Sequence, residues 1–205
     1  MLMHLVTDSI TEQIYRIIKE KILLTDLKMG EQINPRELAS EFNVSVMPVR
    51  DALRRLVNEG LVVNKARVGF FVRSFTRREI QDIMEVRRLY ELYCLDQYFH
   101  ELDREKLREI LNACRETETL SRRHFDELDE AIHELIITAS HNDYLIESYH
   151  NVKNQIIICR HLDRDRMEVA HGEHIRLLEA ILEGKKEKAV DILRSHINRV
   201  AEAIL

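Results

Sequence analysis

Four residues in the C-terminal half of this chain have the types and the spacing of a metal site. Asp129 and His133 are four apart, so one face of a helix presents both side chains. His174 and His196 lie in apolar stripes of helical period, where a solvated side chain is not expected. One carboxylate and three imidazoles on inward faces of three helices are typical ligands of a first-row transition metal. The set predicts a site for a divalent ion, with zinc favoured and nickel or manganese as alternatives.

The two C-terminal histidines are also placed to meet each other. His174 precedes Gly184 by ten residues, and His196 follows it by twelve. If Gly184 turns an αα-hairpin, a rise of roughly 1.5 Å per residue puts the two rings about 15 Å and about 18 Å from the turn, nearly level. The competing interpretation is four unrelated residues, in which the histidines form hydrogen bonds in the core and Asp129 pairs with an arginine.

The composition indicates a mainly helical chain that works in a reducing compartment. The 205 residues are 45% hydrophobic and contain only five glycines and two prolines, which favours helices. Three cysteines without a C-x-x-C pair indicate neither a disulfide framework nor a thiolate zinc site. Asp8 and Glu12 interrupt any apolar N-terminal run, so no signal peptide is expected. No apolar stretch approaches the length of a membrane span, and we expect a cytoplasmic protein.

The net charge of −5 conceals two segments of opposite sign. Residues 34–78 hold nine Lys and Arg against four acids, whereas residues 79–205 hold eighteen Lys and Arg against twenty-seven acids. A basic segment on an acidic body indicates a polyanionic partner for the first segment only. Ordinary fluctuation of charge along a chain is the alternative explanation.

The pattern of apolar residues predicts a winged helix-turn-helix followed by an antiparallel all-helical bundle. Helices are predicted from a Thr7 cap to about Leu24, over 35–42, and from a Ser45 cap over 46–58. A hairpin of two short strands follows at 61–63 and 70–72. Beyond it the sequence predicts six helices, over 77–100, 103–119, 122–139, 142–161, 168–183 and 186–203. We therefore divide the chain into a winged helix-turn-helix domain, 1–75, and a helical domain, 76–205, that carries the predicted metal site.

Motifs along nearly the whole chain resemble the GntR superfamily of transcription regulators, FadR branch. In the first domain they are Pro35-Arg36-Glu37-Leu38-Ala39, Val44-Ser45, Pro48-Val49-Arg50-Asp51-Ala52-Leu53, Leu56, Glu59-Gly60-Leu61 and the wing Arg67-Val68-Gly69-Phe70-Phe71-Val72. In the second they are Glu85-Val86-Arg87-Arg88-Leu89, Glu91, the Asp129 and His133 pair, Asn142-Asp143-Tyr144-Leu145, Glu173-His174, Ala180-Ile181 and His196-Ile197. Six helices in the second domain are similar to the shorter, VanR-like form of the FCD ligand-binding domain.

The predicted DNA contacts lie on the second helix of the helix-turn-helix and on the wing. The N-terminal residues of a recognition helix meet base edges in the major groove. Here that end of the helix carries Ser45, Val46, Met47 and Arg50, and nearby cations are placed for phosphates. The resemblance implies DNA contacts by Arg36, by Arg50 and by the wing around Arg67 and Gly69; Arg54 joins them as a phosphate contact. The chain departs from the family at Val46, where an arginine is usual, and Val46 and Met47 are free to contact thymine methyl groups.

The resemblance also implies an effector and an assembly. In this family small organic acids commonly bind at or near the metal, and Arg87 occupies the position of the pocket arginine, where it can pair with a carboxylate. A surface or interface salt bridge is the alternative role for Arg87. The family implies a homodimer on a palindromic operator of double-stranded DNA, with repression that the effector relieves. Two rival functions remain at this point, a sensor of the metal itself and a helical metalloenzyme.

Overall fold

A computed structural model describes residues 8–116, 121–162 and 166–203, with side chains described as far as residue 199. The chain divides into two compact units, Met1–Phe75 and Thr76–Leu205. The predicted cap Thr7 lies outside the described residues, as do positions 117–119 at the end of one predicted helix.

The N-terminal unit is three helices with a small antiparallel sheet. In chain order its elements are α1 Ile10–Leu23, β1 Gln32–Ile33, α2 Pro35–Glu41, α3 Val46–Asn58, β2 Val62–Lys65 and β3 Gly69–Val72. Strand β3 lies between the other two, pairing Phe71 with Gln32 on one side and with Val63 on the other. The winged helix-turn-helix that the sequence predicts is formed by helices α2 and α3 and by the hairpin of strands β2 and β3.

Local sequence explains where these helices begin. The side chain of Ser9 accepts a hydrogen bond from the Glu12 amide at the start of α1, so Ser9 is the cap and the prediction of Thr7 was wrong. Asn34 accepts likewise from the Arg36 amide at the start of α2, whose first residue is Pro35. Ser45 occupies the N-cap position of α3 but its side chain forms no capping bond, so that part of the prediction was wrong. The two-residue strand β1 was not predicted, because its partners Phe70 and Phe71 are 37 and 39 residues away in sequence from Ile33 and Gln32.

The C-terminal unit contains six α-helices within the described residues, as the periodicity predicted. They are α4 Arg77–Gln97, α5 Arg104–Glu116, α6 Arg122–Thr138, α7 Asp143–Arg160, α8 Met167–Leu182 and α9 Lys186–Ala203, with one 3-10 turn at Phe99–Glu101. A capping box between Thr76 and Glu79 begins α4. Gly184 adopts a left-handed conformation, φ 75°, at the turn between α8 and α9.

The helices of this unit pack so that their polar inward residues converge. Helix α4 packs against α6, α7 and α9, while α8 packs against α5, α6 and α9. Apolar side chains such as Leu95, Ile132, Ile136 and Leu178 are fully buried between them. Burial of each such side chain contributes roughly 1.5–3 kcal/mol, which holds the inward faces at fixed positions. In the described part of the chain, every helix is too short or too polar to cross a membrane.

Candidate metal centre and nucleic-acid interface

The structure brings Asp129, His133, His174 and His196 together in the interior of the C-terminal unit. Helix α6 supplies the first two, α8 supplies His174 and α9 supplies His196. One potential ligand atom from each residue lies within 4.8 Å of those of the other three. All four residues are at most 3% exposed. Such a compact set of nitrogen and oxygen donors has the dimensions of a single-ion site.

The His196 ring is held by a carboxylate with one nitrogen free. Its Nδ1 lies 2.8 Å from Glu173 Oε2, so the Nδ1 proton is donated to the carboxylate. Glu173 is itself held by Arg166 at 2.7 Å and by Arg199. His196 Nε2 is buried and has no hydrogen-bond partner among the described residues. A carboxylate that fixes the ring and the tautomer in this way is typical of metal-binding histidines.

His133 lies between an acid and an arginine. Its Nδ1 is 2.8 Å from Glu91 Oε2, and the Arg87 Nη2 group donates to its Nε2 over 2.8 Å. Glu91 is completely buried and also accepts hydrogen bonds from Arg87 Nε at 2.8 Å and from the Tyr149 hydroxyl at 3.0 Å. Burial acts to raise the pKa of Glu91, but the positive charge of Arg87 and the polar contacts with Arg87 and His133 outweigh it and lower that pKa. Glu91 is therefore ionised, and its negative charge compensates the positive charge of Arg87 on this side of the cluster.

Asp129 has an internal counter-ion. The side chain of Arg160 is 9% exposed, and its guanidinium forms an ion pair with Asp129 Oδ2. His174 Nε2 lies 3.5 Å from the other oxygen of Asp129. The sequence interpretation that paired Asp129 with an arginine therefore describes a real contact, although it coexists with the clustering of the four residues.

Two observations at His174 and His196 support a site for a divalent ion. The buried His174 Nε2 and His196 Nε2 have no hydrogen-bond partner among the described residues, and such orphaned atoms are rare in protein interiors. Burial also lowers the pKa of His174 and His196 well below that of an ordinary histidine, with a further contribution from nearby positive charges. Both rings are therefore neutral at physiological pH and present a lone pair, as metal ligation requires.

A cavity of about 40 Å³ adjoins the cluster. Its lining includes two cluster members, Asp129 and His196, with apolar walls from Phe125, Met167 and Ala170. The remaining lining residues are charged or titratable: Arg122, Asp126, Arg160, His161 and Arg166. Arg87 does not line this cavity; with Arg160 and His133 it lines a smaller one of about 10 Å³. The arginines around the cluster favour an anionic ligand.

Arg87, which the sequence placed in the effector pocket, is a buried residue at the cluster. It is 0% exposed, which excludes the alternative role in a surface salt bridge. Its Nε and Nη2 atoms contact Glu91 and His133, but its Nη1 atom is buried without a hydrogen-bond partner among the described residues. Arg87 therefore keeps one donor for a ligand.

The predicted DNA-contact residues lie on α2, α3 and the wing of the N-terminal unit. Ser45, Met47 and Arg50 are exposed at the beginning of α3, with Met47 64% exposed, while Val46 is half-buried. Arg50 has no ion-pair partner in the described part of the chain, whereas Arg54 pairs with Asp51 at 3.1 Å. The remaining predicted contacts are Arg36, exposed on α2, and two residues of the wing turn with positive φ, Arg67 at 62° and Gly69 at 136°.

Several contacts around the cluster were not predicted from the sequence. Glu91 and Glu173 were noted only as motif residues, and Arg160 had no assigned role. The spacing offered two signals: Glu91 follows Arg87 by one helical turn, and Glu173 directly precedes His174. Asn142, another motif residue, caps α7 through its bond with the Leu145 amide. His171 lies away from the cluster, with its Nε2 3.0 Å from the carbonyl of Cys114.

Comparison with known proteins places both units in established families. Residues 10–72 match the family of bacterial regulatory proteins, gntR family, and residues 82–199 match the FCD domain. The chain is 31% identical over 198 residues to the HTH-type transcriptional regulator YdhC of Bacillus subtilis (strain 168), covering 93% of this chain and 88% of that protein.

Two solved structures are similar in fold. A GntR transcriptional regulator from Rhodococcus sp. RHA1 superposes with a TM-score of 0.78 at 19% identity, covering 95% of this chain and 96% of that one. The Zn²⁺-bound FCD domain of TM0439 is 34% identical, with a TM-score of 0.60, over 64% of this chain and 95% of that chain.

These matches decide between a regulator and an enzyme. The metalloenzyme alternative is wrong, because the matched families are those of transcription regulators. The basic winged unit and the helical unit with its buried cluster correspond to the two matched segments. The chain belongs to the GntR family of transcription regulators, with an FCD domain as its C-terminal unit.

Proposed function

We propose that this regulator binds a palindromic operator as a homodimer and that a small organic acid, bound at a metal ion in the FCD domain, modulates that binding. The observation that supports the proposal most is the buried cluster of Asp129, His133, His174 and His196 beside an arginine-lined cavity. A DNA-binding unit and a ligand-binding unit in one chain are the parts that such a regulator needs. Binding to DNA also implies action in the cytoplasm.

Zinc is the proposed ion. The cluster offers three imidazole nitrogens and one carboxylate, a donor set that suits zinc, nickel and manganese. The FCD domain of TM0439, a similar chain, was solved with Zn²⁺ bound, which supports zinc among the three. When bound, the ion supplies coordination positions that are open to a carboxylate oxygen.

The effector is proposed to be an acid because its surroundings are cationic. Arg87 Nη1 and Arg160 Nε are buried donors without a partner among the described residues. A buried carboxylate is stable only when charged or hydrogen-bonding groups surround it, and these donors provide that environment. Asp129 is the present partner of Arg160. Ligation of Asp129 to a metal would make the Arg160 guanidinium available to the effector.

The DNA-contact role is proposed for the exposed face of α2, α3 and the wing. Arg50 is placed to meet a guanine edge, and Met47 to meet a thymine methyl group. The proposed sense is repression, in which the bound protein blocks the promoter and the effector releases it. Such coupling requires the acid to bind one arrangement of the protein better than the other.

A metal sensor is the second candidate, because the cluster alone suffices for that function. In a sensor, zinc itself changes the affinity for DNA; in the proposed regulator, zinc is resident and the acid changes the affinity. The two functions therefore differ in which addition changes DNA binding.

The test uses the full chain and DNA enriched from a random-sequence duplex library by binding to the protein. Fluorescence anisotropy then measures affinity for the enriched duplex with zinc, with a chelator, and with zinc plus a set of small carboxylates. The proposal expects a palindromic duplex, a steep fall in affinity with salt, and a change in affinity when an acid is added to the zinc-loaded protein. A response to zinc alone that no acid alters would instead indicate a sensor, and failure to enrich any sequence would contradict both functions.

A further inference from the structure

We infer that the cavity beside the cluster is built for a short dicarboxylate, with one carboxylate at the metal and the other at Arg122. This inference rests on the proposed function, since it names the class of acid that the site would take. Arg122 is the first residue of α6, and its Nη1 atom is buried without a hydrogen-bond partner among the described residues. Arg122 and the cluster member Asp129 both line the cavity of about 40 Å³.

The charges around the cavity support a ligand with two negative charges. Arg166 pairs with Glu173 at 2.7 Å, and Arg87 pairs with Glu91 at 2.8 Å. Glu173 also pairs with Arg199, but that side chain is 49% exposed, so water solvates its charge. The other charged side chains that line the cavity are two guanidinium groups, Arg122 and Arg160, and two carboxylates, Asp126 and Asp129.

A histidine that ligates a metal is neutral, and the charges of these four side chains cancel, so a resident divalent ion would add two uncompensated positive charges in a buried region. Uncompensated buried charge is costly, and a dianion removes it whereas a monocarboxylate leaves half of it.

The partners of the two carboxylates explain why Arg122 is the second anchor. Asp126 accepts from His161, with Oδ1 2.6 Å from Nε2, and its Oδ1 is 4.0 Å from Arg160. Asp129 pairs with Arg160. Arg122 takes part in neither of these contacts. Its buried Nη1 atom is therefore a cationic donor that can bind the second carboxylate.

The size of the cavity limits the acid to a short one. A cavity of about 40 Å³ is small, which favours a short acid over a long or branched one. Phe125, Met167 and Ala170 provide apolar surface against which a short carbon chain can lie. Malonate and succinate are probes of suitable length, and acetate and propionate are their monocarboxylate counterparts.

The experiment is isothermal titration calorimetry of the zinc-loaded full chain with these four acids. The zinc content is measured before and after each titration, because diacids can remove zinc from a protein. The variants are Arg122→Gln and the control Arg123→Gln, which makes the same charge change one residue further along α6 at a side chain that is 73% exposed. Circular dichroism and zinc content establish that both variants are folded and loaded.

We expect the better of the two diacids to bind roughly 10- to 100-fold more tightly than the monocarboxylates, the range for a charge-assisted hydrogen bond. Arg122→Gln should reduce diacid affinity to the monocarboxylate level and leave monocarboxylate affinity within about threefold, as expected for a contact that only the second carboxylate makes. Arg123→Gln should keep the preference.

A diacid preference that persists in Arg122→Gln would overturn the inference, because it would show that both carboxylates chelate the metal. Equal affinity for diacids and monocarboxylates would overturn it while leaving the proposed function intact. If none of the four acids binds the zinc-loaded protein, while longer or aromatic acids change DNA binding, the dicarboxylate is wrong and the regulator remains. If no acid of any kind has an effect, the proposed effector function also fails.

Discussion

Replacement of Glu91 by glutamine tests the buried charge network around His133. Glu91 and Arg87 are both 0% exposed. They are one helical turn apart on α4, and their ion pair joins Arg87 Nε to Glu91 Oε1 over 2.8 Å. Glu91→Gln keeps the shape of the side chain but leaves Arg87 without its counter-ion. Removal of one partner from a buried ion pair typically costs about 3–5 kcal/mol, because the remaining charge stays buried and uncompensated.

The assay is urea unfolding of the metal-free full chain, in the presence of a chelator, followed by circular dichroism. Metal removal matters because bound zinc would add its own stabilisation by mass action. We expect Glu91→Gln to lower the free energy of unfolding of the C-terminal unit by about 3 kcal/mol, which corresponds to a fall of roughly 10 °C in its melting temperature.

A matched control exists on α6. Arg123 and Glu127 have the same order and the same spacing, but their side chains are 73% and 63% exposed. Glu127→Gln should therefore cost less than about 0.5 kcal/mol. The double variant Arg87→Met with Glu91→Leu should be much less destabilised than Glu91→Gln, because no unpaired charge remains. A cost for Glu91→Gln no larger than that of Glu127→Gln would refute the buried charge network.

Three further predictions follow from other parts of the chain. Arg50→Ala should weaken binding to the enriched duplex by about 1–3 kcal/mol in anisotropy titrations, whereas Arg115→Ala, in the other unit, should have no effect on it. Burial raises the pKa of Cys114 to about 11, so the thiol stays protonated up to about pH 9 and should react with an aromatic disulfide reagent only after unfolding; fast labelling of the native protein at pH 8 would contradict this. Glu173→Gln should lower zinc affinity about 10- to 100-fold in competition with a chromogenic chelator, because the carboxylate no longer fixes the His196 ring, and unchanged affinity would show that Glu173 only packs.

The fold followed from the sequence wherever the signal is local. The 3.6-residue periodicity predicted the six helices of the C-terminal unit, and the clustering of Asp129 with the three histidines follows from their positions on inward faces. The turn at Gly184 was predicted from one residue, since a left-handed conformation at a helix end favours glycine.

The rest depends on contacts between elements that are distant in sequence. Strand β1 has only two residues, too few for any period, and its existence depends on pairing with β3. The contact of Arg160 with Asp129 joins two helices across 31 residues, and that of Glu91 with His133 spans 42. No local pattern encodes these pairs, because each requires the packed arrangement of three or more helices.

Elemental analysis of the purified full chain tests the central claim most directly. The protein should contain about one divalent ion per chain, with zinc in excess of nickel and manganese. The double variant His174→Ala with His196→Ala should contain almost none, while His171→Ala, a histidine on α8 outside the cluster, should keep the full amount. An unchanged metal content in the double variant, or a wild-type protein that takes up no divalent ion when zinc is supplied, would contradict the assignment of the cluster as a metal centre.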